Sequence, residues 1–329
     1  MRRTLLTFGL AALVGVLALA SLAVGPAPFE LGEVLAGLAD DSDSPVAVIV
    51  QEIRLPRTLL AILVGASLGL AGAALQGILL NPLAEPGVVG ISSSAAFGAV
   101  IAFYFGLASV HPLALPLGGI AGALVAVLGL RALAGRSSSA LTIVLAGVAV
   151  NSLAAALTAL ALNLAPNPYA ALEIVFWMMG SLVDRSFEHV ALAALLMAPG
   201  WLLMFSVGRG LDALTLGRDA AQSLGVNLDA MHWRAVFGTA LAVGAAVAVT
   251  GGIAFVGLVV PHLLRPLVGY RPGPLLGLSA LGGAALLLAA DITVRLLPTA
   301  GEVKIGVITA LLGAPFFLFL ILRTRRTLV

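Results

Sequence analysis

The sequence predicts an all-α, polytopic membrane protein with about ten transmembrane helices, and its composition and the length of its apolar runs lead to that fold class. Of its 329 residues, 61% are hydrophobic and only 10% are charged, whereas soluble proteins carry about 25% charged and about 45–50% apolar residues. A soluble core of this size cannot absorb such an excess. The apolar runs are continuous and approach the roughly 20 residues of a helical crossing, whereas a β-barrel would show alternating stretches of about 10.

Ten apolar segments account for the predicted crossings, and residues 1–329 are predicted to form a single transmembrane domain. An even number of crossings places both termini on the same side of the membrane. The largest loop on that side links the sixth and seventh segments, at about residues 209–233. The segments span approximately residues 4–24, 57–80, 88–107, 112–134, 140–163, 189–208, 234–251, 253–264, 274–296 and 304–322.

The distribution of basic residues predicts that both termini are cytoplasmic. With this orientation, twelve arginines lie inside and five basic residues lie outside, as the positive-inside rule requires. The outside group is Arg54, Arg57, Arg185, Arg295 and Lys304.

The first segment has two interpretations. Arg2 and Arg3, the apolar run and the small residues at 20–27 also resemble a secretory signal peptide. We favour a retained helix, because the run is long enough to span the membrane and because its removal would leave an odd number of crossings.

A weak internal repeat gives the fold inverted-repeat character. One Gly-rich span opens at Arg57 and another opens at Arg234. The two begin on opposite faces of the membrane, which would fit an inverted-topology repeat. Gly-rich helices are also common in membranes without any repeat.

Several kinds of chemistry are excluded by what the sequence lacks. There is no cysteine for a disulfide or thiolate site, and there is no G-x-x-x-x-G-K-[ST] loop to hold the phosphates of ATP. The four histidines are scattered near segment ends, and no paired carboxylates lie within a membrane segment. The sequence therefore predicts a protein that is not an enzyme and that holds neither a metal nor a cofactor of its own.

Three polar features are candidate sites. Two prolines and a glycine break the chain at residues 81–87, which form either a tight hairpin or irregular backbone that lines a polar pathway. In the loop at 209–233, Gly225 is a plausible helix C-cap and Asp229 a plausible N-cap, so we expect two short helices held by the bundle or by a partner. Asp291 and Arg295 lie one helical turn apart, either as a structural pair or with Arg295 projecting towards a partner.

Nine short motifs follow one another along the chain from about Ile53 onwards, and the similarity continues to about Arg326. They are IRLPR (53–57), NPLAEPGVVG (81–90), LAGV (145–148), WMMGS (177–181), ALTLG (213–217), SLGV (223–226), GIAFVGLVVPH (252–262), LAAD (288–291) and GVITALLGAP (306–315). In type and order they resemble the iron-siderophore, haem and vitamin B12 permeases, the FecCD-type group of type II ABC importers.

The resemblance implies a homodimer in the bacterial inner membrane, two cytoplasmic ATPase subunits that bind ATP and magnesium, and a periplasmic substrate-binding protein, with no nucleic acid partner. It implies that helices five and ten line the central pathway. It also implies three sets of site residues, which are the binding-protein docking residues Arg54, Arg57 and Arg295, the ATPase coupling residues Leu214, Gly217, Arg218, Ala221, Leu224 and Gly225, and the cytoplasmic gate residues Asn81, Pro82, Leu83, Ser138 and Ser139.

The predicted function is import of an iron chelate, a ferric siderophore or haem, from the periplasm to the cytoplasm. Vitamin B12 is the alternative cargo. An ion-coupled secondary transporter is the alternative mechanism, and Asp291 is its only acidic candidate at membrane depth.

Overall fold

The computed structural model describes residues 2–40, 42, 44–87, 89–111, 113–135, 140–298 and 301–325, and within these residues there are helices and no β-strand. The α-helices, numbered in chain order, are Arg2–Ala23 (α1), Leu31–Ala39 (α2), Pro45–Val48 (α3), Leu55–Ile78 (α4), Ile91–Tyr104 (α5), Leu107–Val110 (α6), Ala114–Ala134 (α7), Ala140–Asn163 (α8), Pro168–Met178 (α9), Phe187–Ser206 (α10), Gly208–Leu214 (α11), Arg218–Ser223 (α12), Leu228–Thr250 (α13), Val256–Leu264 (α14), Pro272–Leu296 (α15) and Ile305–Arg325 (α16). A π-helical stretch, Ile49–Arg54, joins α3 to α4, and a 3₁₀ turn, Arg265–Val268, extends α14.

Each of the ten predicted segments lies mainly on one helix of its own. These are α1, α4, α5, α7, α8, α10, α13, α14, α15 and α16. In the described part of the chain, seven helical runs are long and apolar enough to cross a membrane, while α5, α9, α14 with its 3₁₀ extension and residues 305–320 of α16 form shorter apolar runs. The predicted fold class, a polytopic all-α membrane protein, is confirmed.

Two helices begin later than predicted because left-handed residues precede them. Gly90 has φ +78° just before α5, and Phe255 has φ +67° just before α14. A residue in this conformation cannot continue a right-handed helix. Irregular backbone therefore replaces part of the third and eighth predicted segments.

One helix, α9, was not predicted, because it lies between the fifth and sixth apolar segments, outside every predicted crossing. Asn167 caps it by accepting a hydrogen bond from the backbone N–H of Ala170 at 2.9 Å, and Pro168 occupies its first position. Both residues are typical helix-start signals.

The centre of the bundle is formed by α4 and α13, which are the most buried of the long helices. The helix α4 packs against α14 and α15, and α13 packs against α5 and α7. The helices α4, α5, α7 and α8 can be compared, as one set of four, with the set α13, α14, α15 and α16. Each central helix is the first of its own set and contacts the second and third helices of the other set. Such reciprocal contacts are expected of an internal repeat, whether inverted or parallel.

The backbones of α4 and α15 approach closely because small residues face each other. A Cβ atom at Gly65 would lie 2.4 Å from the carbonyl oxygen of Gly283, and one at Gly69 would lie 2.0 Å from that of Ser279. Helices in lipid gain little hydrophobic energy from association, so this close packing supplies much of the attraction. It places the polar residues near the end of α15 beside the start of α4.

Candidate functional site

The end of α15 and the start of α4 bring Asp291, Arg57 and Arg295 into one ion cluster. The Asp291 side chain is 1% exposed. Arg57 donates hydrogen bonds to Asp291 from Nε at 2.9 Å and from Nη2 at 2.7 Å, and Arg295 donates to the other carboxylate oxygen. A buried carboxylate is costly unless it is paired, and here two guanidinium groups pair with it. Asp291 and Arg295 were open to two interpretations, and the structure shows the first of them, a structural ion pair.

The backbone carbonyl groups at the end of α1 are further partners of these arginines. Arg295 donates a hydrogen bond to the carbonyl oxygen of Ser21 at 2.7 Å. Arg54, which is 5% exposed, donates to the carbonyls of Leu22 at 2.7 Å and Ala23 at 2.8 Å. The last carbonyls of a helix have no partner within it, and basic side chains can satisfy them. Arg54 and Arg295 therefore anchor the first helix to the bundle.

A partly open cavity of about 500 Å³ lies against Arg54, Arg57 and Arg295. Glu302 also lines it, forms an ion pair with Arg57 and has a side chain that is 31% exposed. Arg57 thus has one buried carboxylate partner, Asp291, and one that reaches solvent. The three predicted docking arginines lie close together in the structure, and each guanidinium group forms hydrogen bonds within the chain. Docking itself stays a prediction.

The predicted coupling loop contains two short helices, α11 and α12, and the expected cap at Gly225 is confirmed. Gly225 has φ +83°. Its N–H donates to the carbonyl of Gln222 at 2.8 Å, and the N–H of Val226 donates to that of Ala221 at 3.0 Å. These two bonds form the Schellman motif, which favours glycine because a Cβ atom disfavours positive φ.

The expected N-cap at Asp229 is wrong. The cap of α13 is Asn227, whose side chain accepts a hydrogen bond from the N–H of Ala230 at 2.9 Å. Asp229 lies in the first turn instead, where a carboxylate interacts favourably with the helix dipole.

The bundle holds one part of the coupling loop. Leu214 and Ala221 are 2% and 0% exposed. Asp212 of α11 accepts a hydrogen bond from the N–H of Gly273 at 2.9 Å, which ties α11 to the start of α15. Packing on the parent bundle therefore accounts for α11.

The other part of the coupling loop faces outward. Gly217, Arg218 and Gly225 are exposed. Leu224, at the end of α12, is 66% exposed. Four of the six predicted coupling residues therefore lie on a free surface, and two lie beneath it.

The predicted gate turn follows α4. The Asn81 side chain accepts a hydrogen bond from the N–H of Leu83 at 2.9 Å, an Asx turn that reverses the chain. Asn81 and Pro82 are exposed and Leu83 is partly buried. The other predicted gate residues, Ser138 and Ser139, lie outside the described residues.

The second half of this turn packs inside the bundle. Ala84 is 1% exposed, and a Cβ atom at Gly257 would lie 3.3 Å from Cδ of Pro86. Glu85, between Ala84 and Pro86, is partly buried. These contacts favour irregular backbone within the bundle over a simple surface hairpin.

Two acidic residues of these sites were not predicted. Glu302 is 245 residues from Arg57 in sequence, so no local pattern could pair them. Glu85 stands among apolar residues within the motif at 81–90, and this was the available signal. In the described ranges, no group of three or more His, Cys, Asp or Glu side chains could hold a metal ion.

Comparison with known proteins gives consistent matches along the chain. Residues 13–323 match the FecCD transport family. The vitamin B12 import system permease protein BtuC of Vibrio cholerae is 41% identical over 84% of this chain and 83% of the relative. The hemin transport system permease protein HmuU of Yersinia pestis is 40% identical over 83% of both chains.

A solved metal-chelate type ABC transporter in an inward-facing conformation has the same fold. It superposes with a TM-score of 0.85 over 96% of this chain and 98% of its own, at 31% identity. Since the family match covers nearly the whole sequence and the helices follow the same architecture, this chain belongs to the FecCD transport family as a membrane-spanning permease.

Proposed function

We propose that the chain is the permease subunit of an ATP-driven importer that moves an iron chelate, a ferric siderophore or haem, from the periplasm to the cytoplasm. The superposition on a metal-chelate type ABC transporter over 96% of the chain is the observation that carries the proposal. The arginine distribution supports a location in the bacterial inner membrane with both termini in the cytoplasm.

Two partner ATPase subunits would bind ATP and magnesium, since this sequence has no phosphate-binding loop. The surface around α12 is suited to such a partner. Leu216 and Leu224 are 68% and 66% exposed at the two ends of this short helix. A six-residue helix is not stable alone, and exposed apolar side chains beside it are typical of a protein-binding surface.

A second copy of the chain would enclose the pathway. The helices α8 and α16 occupy the positions of helices five and ten, which the family resemblance assigns to the pathway. Both expose large apolar side chains, such as Leu145 at 61% and Leu312 at 57%. Two subunits that meet along these helices would bury part of these surfaces and leave a passage between them.

Arg57 is the arginine best placed to meet the periplasmic binding protein. Asp291 orients its guanidinium group from the buried side, whereas Glu302 contacts it from the exposed side. An exposed ion pair is worth about 0–1 kcal/mol, so a carboxylate of the binding protein could replace Glu302. Arg54 and Arg295 would shape the cavity and add positive charge.

Glu302→Gln is therefore expected to speed capture of the loaded binding protein by about two- to fivefold at low salt, because it removes the internal competitor for Arg57. The measurement is surface plasmon resonance on importers held in nanodiscs. Glu52→Gln is the control, since it removes an exposed negative charge from the outer side without touching Arg57. Equal association rates for the two variants would contradict the exchange of carboxylates.

The alternatives differ in their support. An ion-coupled secondary transporter is disfavoured, because Asp291 is occupied by two guanidinium groups. Vitamin B12 is the second candidate cargo, since a relative named for its import is 41% identical.

Ligand binding by the partner binding protein tests the choice of cargo. Calorimetric titration with a ferric siderophore, haem and cobalamin is expected to give tight binding of an iron chelate and no heat with cobalamin. Selective binding of cobalamin would reassign the cargo to vitamin B12.

A further inference from the structure

A small pocket lies on the predicted cytoplasmic side, between the end of α4, the helix α11 and the turn that joins α14 to α15. Its volume is about 190 Å³. Sites for drug-sized ligands measure roughly 300–1,000 Å³, so this pocket is suited to a single side chain. We name it the cytoplasmic pocket and define it by six of its lining residues, Gln76, Leu80, Leu211, Thr215, Arg265 and Tyr270.

The charged group of the pocket is Arg265, which begins the 3₁₀ turn after α14. Its Nη2 donates a hydrogen bond to Oε1 of Gln76. Gln76 is 3% exposed, and its Nε2 donates to the carbonyl oxygen of Gly257 at 3.1 Å. Because both ends of the amide form hydrogen bonds, Gln76 holds the guanidinium group in a fixed orientation at the pocket.

Among the described residues, no carboxylate forms an ion pair with this cation. The arginines that do form ion pairs there are Arg57, Arg271 and Arg295. Asp212, the acidic residue of the adjoining α11, pairs with Arg271 and accepts a hydrogen bond from the N–H of Gly273. A partly buried cation is costly without a counter-charge. The pocket therefore favours an incoming carboxylate, which a guanidinium group can bind through two hydrogen bonds.

Two exposed apolar side chains form the rim of the pocket, and both belong to residues with left-handed backbone. Leu80 has φ +49° and Tyr270 has φ +61°, and they are 61% and 68% exposed. This conformation is uncommon outside glycine, and it occurs at ligand clamps where the surroundings hold it. The N–H of Tyr270 donates to the carbonyl oxygen of Arg265 at 3.1 Å, so the turn that orients the rim begins at the cation.

The cytoplasmic pocket is continuous with the coupling loop. Leu211 of α11 and Thr215, the C-cap of that helix, line the pocket. Leu216 follows directly and is 68% exposed. The surface around α12 that is suited to an ATPase subunit therefore reaches the mouth of the pocket.

We propose that the cytoplasmic pocket receives an aspartate or glutamate side chain of the ATPase subunit, whose carboxylate pairs with Arg265 while Leu80 and Tyr270 enclose it. This inference rests on the proposed function, because that function supplies the ATPase partner. The contact would hold the ATPase subunit at a second point beside α12.

A cross-link tests the contact directly, since Lys304, on the predicted outer side, is the single lysine of the chain. Arg265→Lys keeps the positive charge and adds an amine, which a carbodiimide joins to a touching carboxylate as an amide. In the assembled importer, it is expected to cross-link to an acidic residue of the ATPase subunit about tenfold more than Arg234→Lys, because the pocket holds the two groups together. Arg234 is exposed and lies outside the pocket. Equal cross-linking of the two variants would overturn the proposal.

Removal of the charge tests its part in the affinity. Arg265→Gln is expected to weaken binding of the ATPase subunit about tenfold, the factor equivalent to one charge-assisted hydrogen bond, and Arg265→Lys should lose less. Surface plasmon resonance on the permease in nanodiscs measures the affinity. Arg234→Gln is the matched control and should change it at most about twofold, since an exposed charge contributes little. Equal affinities for Arg265→Gln and Arg234→Gln would overturn the role of Arg265.

Tyr270→Gly separates recognition from folding. Glycine adopts a φ of +61° without strain, so the permease alone should unfold at the same or a higher denaturant concentration. Its affinity for the ATPase subunit should nevertheless fall about two- to fivefold, because an aromatic contact at the rim is lost. Unchanged affinity, or a loss of affinity that accompanies a loss of stability, would overturn the docking role of the rim.

Two further outcomes concern the occupant of the pocket and the proposed function. If Arg265→Gln keeps the ATPase affinity but loses an anionic lipid that native mass spectrometry detects on the parent protein, the pocket holds a lipid headgroup and the proposal is overturned. In that case the importer still assembles, so the proposed function stands. A permease that binds no ATPase subunit in any variant would contradict the proposed function and, with it, this contact.

Discussion

Replacing Asp291 with alanine is expected to destabilise the protein by about 3–5 kcal/mol, because it leaves two buried guanidinium groups without their carboxylate. Asp291 is 1% exposed and bridges α4 to α15 through Arg57 and Arg295. Loss of this bridge also weakens the hold of α15 on the first helix. Denaturant unfolding of the purified protein in detergent measures the change.

A second substitution shows whether unpaired charge is the cause. Arg295→Met in the Asp291→Ala background removes one of the stranded cations and should recover part of the lost stability, because an apolar replacement for a buried ion pair is often neutral or stabilising. Glu302→Gln is the control and should cost at most about 1 kcal/mol, since that ion pair is exposed. If Asp291→Ala unfolds like Glu302→Gln, the cluster does not stabilise the bundle.

Gly225→Val is expected to slow transport about tenfold, because a β-branched residue at φ +83° costs about 1–2 kcal/mol or displaces the end of α12. The displaced helix would meet the ATPase subunit in the wrong position. ATP hydrolysis would then continue with little cargo movement. Uptake and ATPase rates of the assembled importer in proteoliposomes measure the two activities separately.

Gly269→Val is the matched control for backbone strain. Gly269 has φ +63°, and a Cβ atom there would meet nothing within 4 Å, as at Gly225. It lies outside the coupling loop, so its replacement should leave the ratio of uptake to hydrolysis unchanged. Unchanged coupling and unchanged assembly in Gly225→Val would remove the coupling role from this loop.

The helices could be predicted from sequence because each crossing needs a continuous apolar run, and such runs are visible without any tertiary information. The starts of α5 and α14 could not be placed as well. A proline- and glycine-rich turn precedes α5, and this signal was available at residues 81–87. The left-handed backbone at Phe255 carried no signal, since phenylalanine rarely adopts it.

The ion cluster shows a similar division between local and distant contacts. Asp291 and Arg295 are four residues apart on one helix, so their pairing could be predicted from spacing. Arg57 is 234 residues from Asp291 and joins the cluster because α4 packs on α15. That packing depends on backbone contact at Gly65 and Gly283, which a single sequence does not reveal. The hydrogen bonds and ion pairs that the three arginines form within the chain could not be predicted for the same reason.

Uptake of cargo by proteoliposomes is the direct test of whether this permease works in an ATP-driven importer. The permease is reconstituted alone or with its ATPase subunits, and a loaded binding protein presents the labelled ferric chelate. We expect uptake only with the ATPase subunits and ATP, and no loss of uptake when an ionophore collapses the ion gradients. Uptake by the permease alone, driven by an ion gradient and independent of ATP, would contradict it.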